Sequence, residues 1–193
     1  MGNKRIIVIT GATGTGKTTV QHYLADEYGI PRVITHTTRP KRDGERDGVD
    51  YYFETPDSFP QNHFLEHVQY SGYEYGSSHE GLDRAWAKSD IASIVLDTAG
   101  AVTYADQLGA AVAVMFLTID DPAVLRQRLL DRGDAAERVE ARIHSKEYAR
   151  DLALPAAIKA CATVIMNDNW AAARVAVDHF IAQLGILAPD KLH

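Results

Sequence analysis

Between Gly11 and Thr19 the chain reads GATGTGKTT, which fits the pattern Gly-x-x-x-x-Gly-Lys-Thr. Each residue type has a chemical task. Gly11, Gly14 and Gly16 let the backbone turn so that the N–H groups of Ala12, Thr13, Thr15 and their neighbours converge on phosphate oxygens. A helix opening at Lys17 aims its N-terminus at the same anion. Lys17 reaches the β- and γ-phosphates of a nucleoside triphosphate, the Thr18 hydroxyl is a magnesium ligand, and Thr19 completes the loop. The ligand is then a magnesium-bound nucleoside triphosphate. A carboxylate at the end of a neighbouring strand is expected near the metal, and Asp97, closing IASIVLD, has that position; its competing duty is to cap the helix that DTAGAV opens.

Such a loop works only between a buried strand and an amphipathic helix, and both are present. RIIVIT before it is a β-branched run suited to a strand buried on both faces. KTTVQHYLADEY after it carries Val20, Tyr23, Leu24 and Tyr28 on one stripe, which Gly29 ends. IASIVLD, AVAVMFLTI and ATVIM are three further strand candidates, each followed by a helical pattern: about Val102 to Leu108, Ala123 to Leu130 and Ala171 to Leu184. This alternation predicts an α/β fold, a parallel sheet covered by helices on both faces, in one domain over 1–193.

Residues 35–85 break the rhythm and read as a small mixed α/β insertion, with short strands at YYFE and FLEHVQY. Its first part, THTTRPKRDGERDGVDYYF, holds almost no aliphatic residue. Alone it would be a solvated charge run. Together with FLEHVQYSGYEYGSS and the phosphate loop, it resembles the monophosphate-binding segment of guanylate kinases. Three motifs then occur in order over essentially the whole chain. The resemblance implies a P-loop NTPase fold and transfer of the ATP γ-phosphoryl group to GMP or dGMP. It implies Arg39 and Arg42 on the acceptor phosphate, where planar guanidinium groups match two oxygens. Tyr51 and Tyr75 would donate to that phosphate, with Thr35 nearby and Glu45 holding the arginines. Glu66 would accept from guanine N1–H and its exocyclic amine, and Ser77 would donate to O6. Adenine presents the reverse pattern on that edge, so a buried carboxylate facing it would be left unpaired.

DRGDAAERVEAR, late in the chain, reads as an irregular, mobile flap between two helical patterns, part of a lid over 128–145. The resemblance places Arg128, Arg132 and Arg142 as its arginines, with Lys17, Arg39, Arg132 and Arg142 the catalytic cations. Asn167, in MND, falls at that family's adenine-side turn. One departure stands out. The family pattern has Asp-x-Asp where this chain reads LDTAGAV, so Asp97 is kept while Thr98 or Ala99 stands in place of the second carboxylate.

Other readings compete less well. A ribosyl-phosphate kinase would not need Glu66 and Ser77 together, and a non-catalytic binding module would not need Gly16, Lys17 and Thr18 intact. HFLEH matches a zinc-protease spacing, but it leads at once into a β-like segment. The net charge of −6 argues against nucleic acid as the main partner. The single cysteine, Cys161, reads as a small buried hydrophobe. No run is long enough to span a membrane, the first residues make no signal peptide, and Gly2 lacks the residue at Ile6 that acylation wants. A cytoplasmic protein is expected; its oligomeric state is not encoded in any of these features.

Overall fold

Strand β1 (Arg5–Thr10) runs between β6 (Ile91–Val95) and β7 (Val112–Thr118), and β8 (Ala162–Met166) extends the sheet beyond β7. All three pairings are parallel. The structure is a computed structural model in which residues 4–186 are described; Gly2 lies outside them. Side chains alternate across a strand, and here both faces are covered. Ile7 and Ile9 pack with Val20 and Leu24 of α1 (Lys17–Tyr28) and with Val177 and Phe180 of α7 (Trp170–Gln183). Ile6 and Val8 pack on the other side with Ala101 and Tyr104 of α3 (Thr98–Leu108).

The sheet's carboxyl edge collects the predicted chemistry. Gly11 follows β1, Asp97 follows β6, and Asn167 follows β8. Ligands of open parallel sheets bind at this edge. The phosphate loop lies so close to β7 that a Cβ on Gly11 would sit 2.1 Å from the Leu117 carbonyl oxygen, and Gly11 has φ +127°. Only glycine satisfies both conditions.

The insertion is a second sheet in the order β3 (Tyr52–Phe53), β2 (His36–Thr37), β5 (Tyr73–Ser78), β4 (Phe64–Tyr70). It is mixed, since β2 pairs parallel with β3 while the β5 pairings are antiparallel. The sheet is joined firmly to the main layer. Leu65 of β4 and Leu82 of α2 (His79–Trp86) enter the α3-side core, and Gln107 donates to the Leu65 carbonyl at 3.0 Å. Buried His36 links Glu54 (2.8 Å) to Ser78 (3.1 Å). Ser–His–Glu is the order of a hydrolytic triad, but Ser78 Oγ accepts the Gly81 N–H as the cap of α2 and is 2% exposed, so this chain is a clamp.

Two expectations need correction. Helix α4 (Pro122–Asp131) matches the helical pattern expected from Ala123 to Leu130, but the stretch read as irregular after it is mostly helical, with α5 (Ala136–Ile143) after a short turn and then α6 (Lys146–Asp151). Val139 anchors α5, and Leu125 of α4 joins Tyr148 of α6 in a small core with Ala12 of the phosphate loop and Ile119. Cys161 is half-buried and not core; its thiol lies 3.4 Å from the Ile158 carbonyl. HFLEH is extended strand, with His63 and His67 paired to Glu80 and Glu74.

Gly11→Ala combines a contact with backbone and a disfavoured φ. Strain of this kind costs about 3 kcal/mol or more, which for a chain of this size lowers the melting temperature by roughly 10 °C. A melting curve within about 2 °C of the wild type would show that the loop does not lie against β7.

Candidate active site

One cleft runs along the sheet's carboxyl edge, with a volume of about 1450 Å³. It is lined by the phosphate loop, the insertion and the α4–α6 segment. At its floor Lys17 Nζ donates to the carbonyls of Gly11 (2.6 Å) and Ala12 (2.9 Å). Burial lowers the Lys17 pKa to about 8; Asp151 and Asp97 oppose that shift, while Arg132 and Arg142 add to it. Charges from the end of β6, from α6 and from the turn and helix after α4 therefore reach one ammonium group. The loop is braced from β8: Asn167 Nδ2 donates to the Thr15 carbonyl at 2.7 Å, and a Cβ on Gly16 would sit 2.4 Å from that nitrogen. Arg128 donates to the Asn167 and Asp168 carbonyls (2.9 and 3.2 Å), so it pins this turn and does not join the other lid arginines. Thr13, Thr18 and Thr19 line the cleft beside Gly14 and Gly16.

Asp97 performs the capping role. Its Oδ1 accepts the Gly100 N–H at 2.7 Å, and its Oδ2 accepts from Arg150 at 2.6 Å. Burial, the leading influence, still holds its pKa above the ordinary carboxyl value. A second carboxylate stands beside Thr98 although the local sequence lacks one. Asp151, 2% exposed, accepts from Thr98 N (3.2 Å) and Thr98 Oγ1 (2.5 Å) and also from Arg150 Nε (2.9 Å). Neither Arg150 nor Asp151 carries a local signal, because they lie 53 residues from their partners. No cluster of three or more His, Cys, Asp or Glu among the described residues is placed to hold a metal.

On the insertion, Arg39 forms a two-pronged pair with Glu45 at 2.8 and 3.0 Å, and Glu45 also accepts the Arg42 N–H at 2.8 Å. The Arg39 guanidinium lies 5.3 Å from the Tyr51 ring centre, and Tyr51 stands edge-on to Tyr75 at 6.3 Å. Thr35 lines the cleft next to them. This brings Thr35, Arg39, Arg42, Glu45, Tyr51 and Tyr75 into one end of the cleft.

Glu66 is 4% exposed and its Oε2 has no hydrogen-bond partner within the protein. Burial raises its pKa to about 8, Asp97 adds to the shift, and Ser77 partly reverses it. A Cβ on Gly100 would sit 3.1 Å from Glu66 Oε2 and 3.3 Å from Asp97 Oδ1, so the two carboxyl groups flank the same glycine. Ser77, fully buried, accepts from the Tyr104 hydroxyl at 2.8 Å. Tyr104 escaped the sequence reading because an aromatic on a helix stripe is ordinarily core.

The remaining arginines converge on Asp134. Arg132 pairs with its Oδ2, Arg142 lies 3.4 Å from the same oxygen, and Arg42 lies 3.8 Å from Oδ1. Burial pushes the Asp134 carboxyl up, but the arginines outweigh it and hold it below its ordinary value. The position of Asp134 between Arg132 and Arg142 was a sequence signal for this role.

The family model for guanylate kinase matches residues 3–183. The guanylate kinase of Neisseria meningitidis serogroup A is 32% identical over 197 residues, covering 95% of this chain and 93% of that protein. That of Thermus thermophilus is 34% identical over 149 residues, covering 75% and 67%. The crystal structure of a guanylate kinase from Anaplasma phagocytophilum has the same fold, with a TM-score of 0.64 at 21% identity over 94% of this chain and 84% of that one.

The Glu66 environment has a measurable consequence for stability. Its pKa is raised on folding, so its contribution favours the fold at low pH and is lost as pH rises from the ordinary carboxyl range through about 8. Glu66→Gln keeps the shape of the protonated acid but cannot ionise. The melting temperature of the variant relative to the wild type should therefore climb between pH 5 and pH 8.5. A difference that stays flat over that range would mean that Glu66 is ionised throughout.

Proposed function

This chain belongs to the guanylate kinase family, and we propose that its cleft reads guanine with Glu66 and Ser77 while its arginines hold the two phosphate groups that react. The protein is an ATP-dependent nucleoside monophosphate kinase that phosphorylates GMP. The observation that carries the base assignment is the buried Glu66 carboxyl with an oxygen lacking any partner in the protein. Guanine offers two donors, N1–H and the exocyclic amine, to such an acceptor. Because the Tyr104 hydroxyl donates to Ser77 Oγ, the one Ser77 hydrogen can turn from Glu66 to guanine O6, its acceptor in this reading.

The acceptor phosphate then meets Arg39, Arg42, Tyr51 and Tyr75, with Thr35 at the margin and Glu45 fixing the Arg39 fork. The donor triphosphate lies on the backbone N–H groups from Gly11 to Thr19, and the Asn167 turn borders its base. Lys17, Arg132 and Arg142 sit near enough to influence one another's charge and converge where the phosphoryl group passes. Positioning and neutralisation dominate phosphoryl transfer, and an acceptor phosphate is already anionic, so no strong general base is required. Magnesium arrives on the nucleotide, which leaves the protein to supply one or two hard oxygens. The Thr18 hydroxyl and the Asp97 carboxylate are of that kind and would hold such an ion, Asp97 exchanging its Arg150 partner for it. When bound, it would neutralise charge on the β- and γ-phosphates. No helix among the described residues is long and apolar enough to cross a membrane, in keeping with small soluble substrates in the cytoplasm. dGMP, differing at the sugar alone, presents the same donors and is a second acceptor in this reading.

Base and phosphate recognition should separate by mutation. Glu66→Gln must turn an amide donor toward one of guanine's donors, and should lower kcat/KM for GMP by on the order of 100-fold while flattening the preference over AMP. Arg42→Ala removes a contact to a phosphate that every acceptor carries, so it should weaken GMP and AMP alike. Equal losses on both acceptors from Glu66→Gln, measured by ADP release, would rule out guanine reading by Glu66.

A further inference from the structure

The β4–β5 ribbon presents one face to the cleft, and its cross-strand pairs form a ladder. Glu66 is paired with Ser77, Val68 with Tyr75, and Tyr70 with Tyr73. The first rung is the base end and the second carries an acceptor-phosphate ligand, both under the reading above, on which this inference rests. The third rung lies about 7 Å further from the base. In that reading the phosphoryl group joins the acceptor phosphate on its side away from the base.

At this third rung polar atoms are buried and unpaired. The Tyr70 hydroxyl, Ser71 Oγ and Arg142 Nε all lack a hydrogen-bond partner within the protein, and all three residues line the cleft. Arg142 already spends Nη1 on Asp134, so its Nε is a second, unused donor. The charges that act on Tyr70 are those of Asp151, Arg142, Asp97 and Arg150, which places its ring among the groups around Lys17 and not toward solvent. Ser71 has φ +51°, the one positive value at a non-glycine among the described residues, and Gly72 follows at +78°. Two such residues make the tight turn that suits a twisted hairpin, although glycine or asparagine enters it at lower cost than serine. A buried donor with no partner destabilises the fold, and the end of the ribbon carries two of them, with a third on Arg142 of α5.

We propose that the hydroxyls of Tyr70 and Ser71, with Arg142 Nε, form a donor set for the oxygens of the phosphoryl group in transit. The bond from the γ-phosphorus to the β–γ bridging oxygen of ATP breaks, and a bond from that phosphorus to an acceptor phosphate oxygen forms. The negative charge stays on the phosphates, and Tyr70 and Ser71 keep their protons. Their hydrogen bonds strengthen as the equatorial oxygens flatten between donor and acceptor. Tyr70 is thus a residue that touches the reacting group, placed on the same ribbon that reads the base. Recognition of the base and alignment of the phosphoryl group then share one rigid element.

Tyr70→Phe removes the hydroxyl and keeps the ring. The protein should be assayed for turnover with Mg·ATP and GMP, and titrated with aluminium fluoride in the presence of ADP and GMP as a stand-in for the group in transit. The expected result is a fall in kcat of about tenfold or more, with both KM values within about twofold of wild type. Fluoroaluminate affinity should fall in parallel, while GMP binding alone stays unchanged and the melting temperature does not fall, since the variant removes an unpaired buried hydroxyl. Ser71→Gly, which relieves the positive φ, should lower kcat by a smaller factor and not raise it. Wild-type kcat and fluoroaluminate affinity in Tyr70→Phe would overturn the proposal. So would a loss of kcat accompanied by equal losses in GMP affinity and melting temperature, since that marks a structural role. Wild-type turnover keeps the two readings apart. Its absence with every nucleoside monophosphate overturns the assigned reaction and this inference with it; its presence beside an unimpaired Tyr70→Phe overturns the inference alone.

Discussion

Repulsion among cations is the constraint that shapes this molecule. Lys17, Arg39, Arg42, Arg132 and Arg142 all line one cleft of a chain whose net charge is −6. Like charges brought together in a partly dry space raise each other's cost, and a fold must offset it locally. Here every one of them has an internal acceptor. Lys17 uses the Gly11 and Ala12 carbonyls, Arg39 uses Glu45, and the other three share Asp134. These acceptors are of the kind that a phosphate oxygen replaces at little cost, because it offers the same geometry with more charge. A cleft assembled this way stays folded and remains able to exchange its anions.

The same constraint explains how three separate segments come to act together. Asp134 lies in the turn between α4 and α5, and Arg42 lies on the insertion, so their contact spans the cleft. The insertion is in turn fixed to the main core through Leu65, Leu82 and the Gln107–Leu65 hydrogen bond. The α4–α6 segment is held by the small core that Leu125 and Tyr148 share with Ala12 and Ile119, and by polar contacts at the cleft. That core is smaller than those on either face of the sheet, so more of the segment's attachment rests on charges.

How much of this the sequence displayed depends on the range of each interaction. The phosphate loop was legible because its glycines encode backbone angles at fixed spacing, and Gly11, Gly14 and Gly16 do take positive φ. The four parallel strands were legible as short β-branched runs. Strand β5, YEYGSS, was not, since it holds no aliphatic residue and is buried by its neighbours. Helix α5 was hidden by the Arg-Gly-Asp that precedes it, and its apolar contact reduces to Val139. The site divides in the same way. Arg39 with Glu45 is a contact across six residues inside one loop, visible as a charge pattern. Arg150 with Asp97, and Asp151 with Thr98, join groups 53 residues apart, where periodicity and spacing are silent.

The departure at LDTAGAV then acquires a physical meaning. A carboxylate after Asp97 was missing from the sequence, yet Asp151 comes from α6 to lie against Thr98, and Arg150 neutralises both aspartates at once. Asp97, meanwhile, shares Gly100 with Glu66 and raises its pKa. Were Asp97 unpaired, two carboxylates would compete on that glycine and Glu66 would hold its proton still more firmly. The Arg150 guanidinium counters this by drawing Asp97 charge toward α6. The charge that acts on the buried Glu66 carboxyl is therefore itself paired with a residue of α6. Through Asp97, the placement of α6 and the protonation of Glu66 become parts of one electrostatic system.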